Sequence, residues 1–247
     1  MLVMASPGYA DPVDFVARPL VLERGEFEVQ LTVEANLRAR FVGYPLSFAP
    51  DLWFGITPRL TVGLIHSNRS VDQIDAGGSF CVRAKLGECD QTYQFGGIDA
   101  RFSVREGSLA VAPRVRLLQR DLDPFKPAVT LGMLARWTRG RFAIATDPYL
   151  RQGLANRDKG NRAALFVPVW FAIQPTCRWV IALHVGYDSD LAVAKDGWHL
   201  PVGLVIGVHP IERLELGLEV GFPSLFGPQN QFQQRALMFT VGWRQPP

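Results

Sequence analysis

The stretch Glu26–Leu37, EFEVQLTVEANL, constrains this chain more than any other. Phe27, Val29, Leu31, Val33, Ala35 and Leu37 take every second place, and Glu26, Glu28, Gln30, Thr32, Glu34 and Asn36 fill the gaps. Helical spacing would scatter both sets around an axis, so period two over this length requires a long strand with one apolar and one polar face. The same period returns in Leu46–Ile56, Leu60–Leu64, Ile98–Val104, Leu109–Leu117, Val129–Trp137 and Phe142–Thr146. It continues in Ala163–Ile173, Trp179–Tyr187, Trp198–Val208, Leu214–Phe222 and Leu237–Trp243. The expectation is twelve strands and no helix.

The connections alternate in length. Thr57–Arg59, Arg105–Ser108, Thr138–Arg141, Gln174–Cys177 and His209–Arg213 are short and rich in Pro, Gly and polar residues, as tight hairpins require. Arg38–Pro45, Ser67–Thr92, Gln119–Lys126, Asp147–Arg162, Asp188–Gly197 and Pro223–Gln231 are the longer ones and fall strictly between them. One end of the sheet therefore carries tight turns and the other carries loops. An even strand number brings both termini to the tight-turn end.

A soluble sandwich and a membrane barrel both have one apolar face, and three details favour the barrel. Strands of about 9–11 residues match the hydrocarbon thickness when tilted. Aromatic residues mark the ends of the apolar faces: Trp137, Trp179 and Trp243 at the tight-turn end, Tyr187 and Trp198 at the loop end. The second face is often small and uncharged, as in Gly203, Val205 and Gly207, where a sandwich would show charge to water. This combination resembles the outer-membrane β-barrel proteins of Gram-negative bacteria, over roughly residues 26 to 243, as an architecture without a family motif. It departs from them at the end, where Arg244, Gln245, Pro246 and Pro247 follow the closing aromatic Trp243. The fold expected is an all-β, twelve-stranded antiparallel up-and-down transmembrane barrel. The resemblance implies residence in an outer membrane, contact with its lipid and handling by its assembly machinery.

Residues 1–10, MLVMASPGYA, read as a remnant of a signal peptide, with Gly8 and Ala10 as small residues before a cut at Asp11. Residues 11–247 read as one barrel domain. Cys81 and Cys89, eight apart in the longest loop, suit a disulfide in an oxidising compartment, which leaves Cys177 over. A net charge of +3 without a basic run excludes nucleic acid as a partner. No Cys/His cluster has metal spacing, and no cofactor is implied.

The lipid face is expected to include Leu31, Val33, Phe54, Val62, Phe102, Val115, Leu131, Ile144, Val167, Ile181, Leu204 and Leu218. The opposite parity sends Glu28, Glu34 and Asp51 to the lumen from the first two strands, and Glu215 and Glu219 from the eleventh. Asp99, Arg101, Arg114, Arg116 and Arg136 come inward from the fourth to sixth strands, and His184 from the ninth. Closure of the last strand on the first would set an acidic wall opposite an arginine-rich one. Such a lumen suits a pore for small polar or ionic solutes and no enzymatic activity. The alternatives are a barrel enzyme acting on lipid or lipopolysaccharide at the outer rim, with His66 and Ser67 as its best residues, and a non-conducting structural or adhesive barrel.

Overall fold

The computed structural model describes residues 15–38, 40, 42–67, 80–83, 93, 95–228, 233 and 235–247. The proposed signal remnant lies outside these residues. Sixteen strand segments are present: β1 (Phe27–Asn36), β2 (Leu46–Thr57), β3 (Leu60–Ile65), β4 (Phe80–Arg83), β5 (Gly96–Phe102), β6 (Leu109–Leu122), β7 (Phe125–Arg139) and β8 (Phe142–Thr146). They continue as β9 (Tyr149–Gly153), β10 (Ala164–Phe166), β11 (Val169–Thr176), β12 (Trp179–Val185), β13 (Asp188–Asp190), β14 (Trp198–Ile211), β15 (Leu214–Phe226) and β16 (Ala236–Gln245).

The segments form twelve staves. β8 and β9 both pair with β7, so they are one stave in two pieces; β10 with β11 and β12 with β13 are two more. β4 extends the third stave, pairing with the upper part of β2 above β3. The breaks fall at Asp147-Pro148, Val167-Pro168 and Gly186-Tyr187. Each proline lacks a ladder donor. Every pairing is antiparallel, and the ring closes where β1 meets β16 from Phe27↔Gln245 to Asn36↔Ala236. Closure gives each of the twelve staves a partner on both sides, the condition for crossing a bilayer with strands. All twelve expected strands are present. The only helical element among the described residues is the single turn Phe15–Ala17.

Alternation sorts the side chains as the pattern requires. Leu31, Phe54, Phe102, Val115, Leu131, Ile144, Ile181, Leu204 and Leu218 are exposed on the outside, and Val33, Val62 and Val167 are half-exposed. Trp137, Trp179 and Trp243 are exposed near the tight turns, and Tyr187 stacks on Trp198 at the loop end. These are the two aromatic girdles that membrane interfaces favour.

Strand enters several of the expected loops: β4 lies within Ser67–Thr92, β13 opens Asp188–Gly197, and β15 runs on to Phe226 within Pro223–Gln231. Gln119–Lys126 is no long loop: β6 runs to Leu122 and β7 begins at Phe125, with Lys126 bound to Asp121 at 2.8 Å. Asp147–Arg162 begins as stave rather than loop, because the alternation continues through β9 to Gly153. Cys81 is disulfide-bonded and Cys177 is free and exposed; Cys89 lies outside the described residues.

Candidate functional site

The inward face of the barrel carries almost all of the buried polar residues, including Gln30, Glu34, Asp51, Asp99, Arg116, Thr130, Arg136 and His184. Arg116 and His184 among them line an interior cavity of about 450 Å³, together with Arg101, Arg114, Asp147, Glu215 and Glu219. Eight-stranded barrels are filled by their own side chains and sixteen-stranded ones leave a channel, so a twelve-stranded lumen is decided by what its residues do.

The arginine wall is compensated within itself. Asp99, fully buried, accepts hydrogen bonds from Trp53 Nε1 at 3.0 Å, Arg101 Nε at 2.8 Å, and Arg114 Nε and Nη2 at 2.7 and 2.9 Å. Arg114 also donates to Asp147, which accepts from Arg116 at 3.3 Å. Charge-assisted bonds of this kind are the strong ones, and they stop these guanidiniums from acting as free positive charges. Trp53 packs against Gly63, where any Cβ would fall 2.2 Å from the indole. Arg101 in turn covers the indole at 4.9 Å.

A second group continues the wall as a stack. The Arg116 guanidinium lies 4.4 Å from the Tyr149 ring centre, Tyr149 stacks on Phe166 at 4.6 Å, and Arg151 covers Phe166 at 4.8 Å. On the next stave, the His184 Nδ1–H donates to Glu219 at 2.7 Å while its ring stacks on Trp170. Glu215 faces Arg18 at 3.8 Å. The expected separation into an acidic and a basic wall is therefore corrected. Arg101 finds its acid Asp99 on its own stave, Arg114 binds Asp99 from the next stave, Asp147 two staves away takes Arg114 and Arg116, and Glu215 and Glu219 find other bases. Arg136 donates to the carbonyl oxygens of Ala17 and Arg18. Glu34 and Asp51 are buried on the first two staves, and Glu28 beside them is half-buried.

The sequence did not reveal that residues 15–26 enter the barrel. Val16 N–H donates to Gln174 Oε1 at 3.2 Å, Leu22 N–H to Thr61 Oγ1 at 2.7 Å, and Arg18 Nη2 to the Glu212 carbonyl at 2.9 Å. Leu22 joins a buried apolar cluster with Trp53, Ile65, Leu118 and Ala128. Just before β1, Glu26 pairs with Arg244 of β16 and fastens the closure. Burial acts to raise the Glu26 carboxyl pKa, but hydrogen bonds from Arg244 and Glu23 and the Arg244 charge outweigh it and hold the group below its ordinary value.

At the loop end, the Ser67 hydroxyl donates to Asp51, and the His66 Nδ1–H donates to the Pro50 carbonyl at 2.7 Å. The hydroxyl and the imidazole thus point to different partners and form no nucleophile–base pair. Nothing in this geometry favours a rim enzyme.

No protein-family model matches the chain, and no curated protein matches it. Among solved structures it is similar to a KdgM porin in complex with disordered oligogalacturonate, with a TM-score of 0.60 and 7% identity over 87% of this chain and 98% of that one. A second KdgM porin structure gives 0.57 at 8% identity and the NanC porin 0.58 at 5%, each over 87% of this chain and 98% of the other. At such identities the likeness is one of fold: a twelve-stranded closed barrel of the outer-membrane porin type.

Proposed function

We propose that the chain is an outer-membrane pore that passes small polar solutes, and that these solutes are uncharged or zwitterionic. The observation that carries this is the charge balance of the cavity wall. Its four arginines, Arg18, Arg101, Arg114 and Arg116, stand against four carboxylates, Asp147, Asp188, Glu215 and Glu219, with the buried Asp99 behind two of the arginines. A permeating anion would have to displace bidentate bonds already made by carboxylates of the wall. A permeating cation would face guanidiniums at the same level. A hydroxyl-rich neutral solute pays neither penalty and finds the edges of polar side chains alternating with Trp53, Tyr149 and Trp170. The KdgM relative in fold was solved with oligogalacturonate, an acidic sugar chain; the paired arginines here argue for a solute of different charge.

Osmotic swelling of vesicles holding the purified protein tests this reading. Uncharged monosaccharides and disaccharides are expected to enter faster than galacturonate of similar size, and the reversal potential in a potassium chloride gradient should lie near zero. Faster entry of galacturonate, or a strong anion preference, would contradict it.

A further inference from the structure

We infer that residues 15–24 are a plug that closes the tight-turn mouth of the lumen and must leave it for full conduction. The inference rests on the pore reading and concerns its regulation. Its first support is where the segment touches the wall. Val16 binds Gln174 on the eighth stave and Leu22 binds Thr61 on the third. Arg136 on the sixth stave grips the Ala17 and Arg18 carbonyls, and Arg18 reaches Glu215 on the eleventh. Staves three and eight, like six and eleven, lie five apart in a ring of twelve, nearly across the barrel. Only a chain running through the interior reaches inward side chains on opposite walls.

The second support is height. Gln174, Thr61, Arg136 and Glu215 all sit within a few residues of the tight turns, so the segment crosses at that mouth and forms the floor of the cavity, which Arg18 and Leu20 line. The third is the kind of bond. Among the described residues, no backbone-to-backbone hydrogen bond joins residues 16–24 to a stave; the first are Gly25 N–H to the Gly55 carbonyl and Gly55 N–H to Glu26. The plug is held by side chains, with Val16, Val21 and Leu22 buried. It can withdraw without opening a rung of the barrel ladder, and Gly25, at φ 85°, supplies a backbone pivot next to β1.

The wall is shaped to receive it. A Cβ on Gly55 would stand 1.8 Å from the Glu23 carbonyl oxygen and 3.0 Å from that of Leu22. Gly55→Ala therefore pushes the plug off its seat with no change of charge, and Arg18→Ala removes its latch from outside the staves.

The test is single-channel conductance of the full chain in planar bilayers, using potassium chloride as the probe, with heat-modifiable migration on gels confirming a folded barrel. Both variants are expected to show unitary conductance raised about twofold or more over the unaltered chain, because the narrowest section sets the resistance. Conductance equal to that of the unaltered chain in the folded variants would overturn the plug and leave the pore standing. Silence from folded barrels of all three proteins would overturn the pore and the plug with it. If Gly55→Ala does not fold, Arg18→Ala decides the matter, since Arg18 belongs to no strand.

Discussion

Asp99→Ala is expected to be the most damaging single substitution in the lumen. The carboxylate is fully buried and accepts hydrogen bonds from Trp53, Arg101 and two nitrogens of Arg114. Alanine leaves the indole N–H without that acceptor, at about 1–3 kcal/mol for a desolvated donor. It also strips Arg101 of the carboxylate it binds, and breaking a buried pair by removing one partner costs about 3–5 kcal/mol. The two contributions do not add fully, because Arg114 keeps Asp147 and the adjoining cavity admits water. A loss of about 3–5 kcal/mol is the net expectation. Asp99→Asn keeps an acceptor for Trp53 but not the charge, and is expected to lose about 1.5–3 kcal/mol. Reversible unfolding by guanidinium in phospholipid vesicles, followed by tryptophan fluorescence, measures both. Freeing Arg101 should also tilt the reversal potential toward anions. A loss under about 1 kcal/mol for Asp99→Ala, with unchanged selectivity, would refute the view that this carboxylate neutralises the arginine wall.

The outer face yields a depth-dependent expectation: Leu131→Arg, near the middle of β7 and 58% exposed, should cost about 2–4 kcal/mol in vesicles, measured by the same unfolding assay. If Cys81 pairs with Cys89, thiol titration of the native, unreduced protein should find one reactive cysteine, Cys177, and three after reduction and unfolding. The closure pair sets an acid limit. The Glu26 carboxyl is held below its ordinary value in the folded state, so its contribution is present above the unfolded pKa and is lost as pH falls through the folded one. Unfolding midpoints measured from neutral pH into the acid range should therefore fall for the unaltered chain. They should fall less steeply for Glu26→Gln, which begins from a lower value.

The stave pattern was legible because lipid outside and polar residues inside impose one period on every strand. Where the two faces are less distinct, legibility declined. In β8 and β9 the apolar positions Phe142, Ile144, Pro148 and Leu150 continue the alternation past Asp147, but proline and the following glycine and asparagine suggest a loop. Asp147 was therefore missed as the second carboxylate of Arg114 and the partner of Arg116. The parity of Arg101, Arg114, Arg116 and Arg136 was readable; their partners were not. Register alone does not choose them: Asp99 lies opposite Arg116 and Arg101 opposite Arg114, yet Asp99 bonds the diagonal Arg114 and Arg101 of its own stave, and Arg116 turns to Asp147. Residues 15–25 carry no period at all. Their place in the lumen follows from Arg136, Gln174 and Thr61 offering bonds from distant strands, and only the closed ring brings those three together.

Conductance across a planar bilayer tests the central claim most directly. Purified protein added to one side should produce discrete, stepwise current increments, with a reversal potential near zero in a potassium chloride gradient. Folded, heat-modifiable barrels that insert and give no increments, in the unaltered chain and in Gly55→Ala and Arg18→Ala alike, would contradict the account.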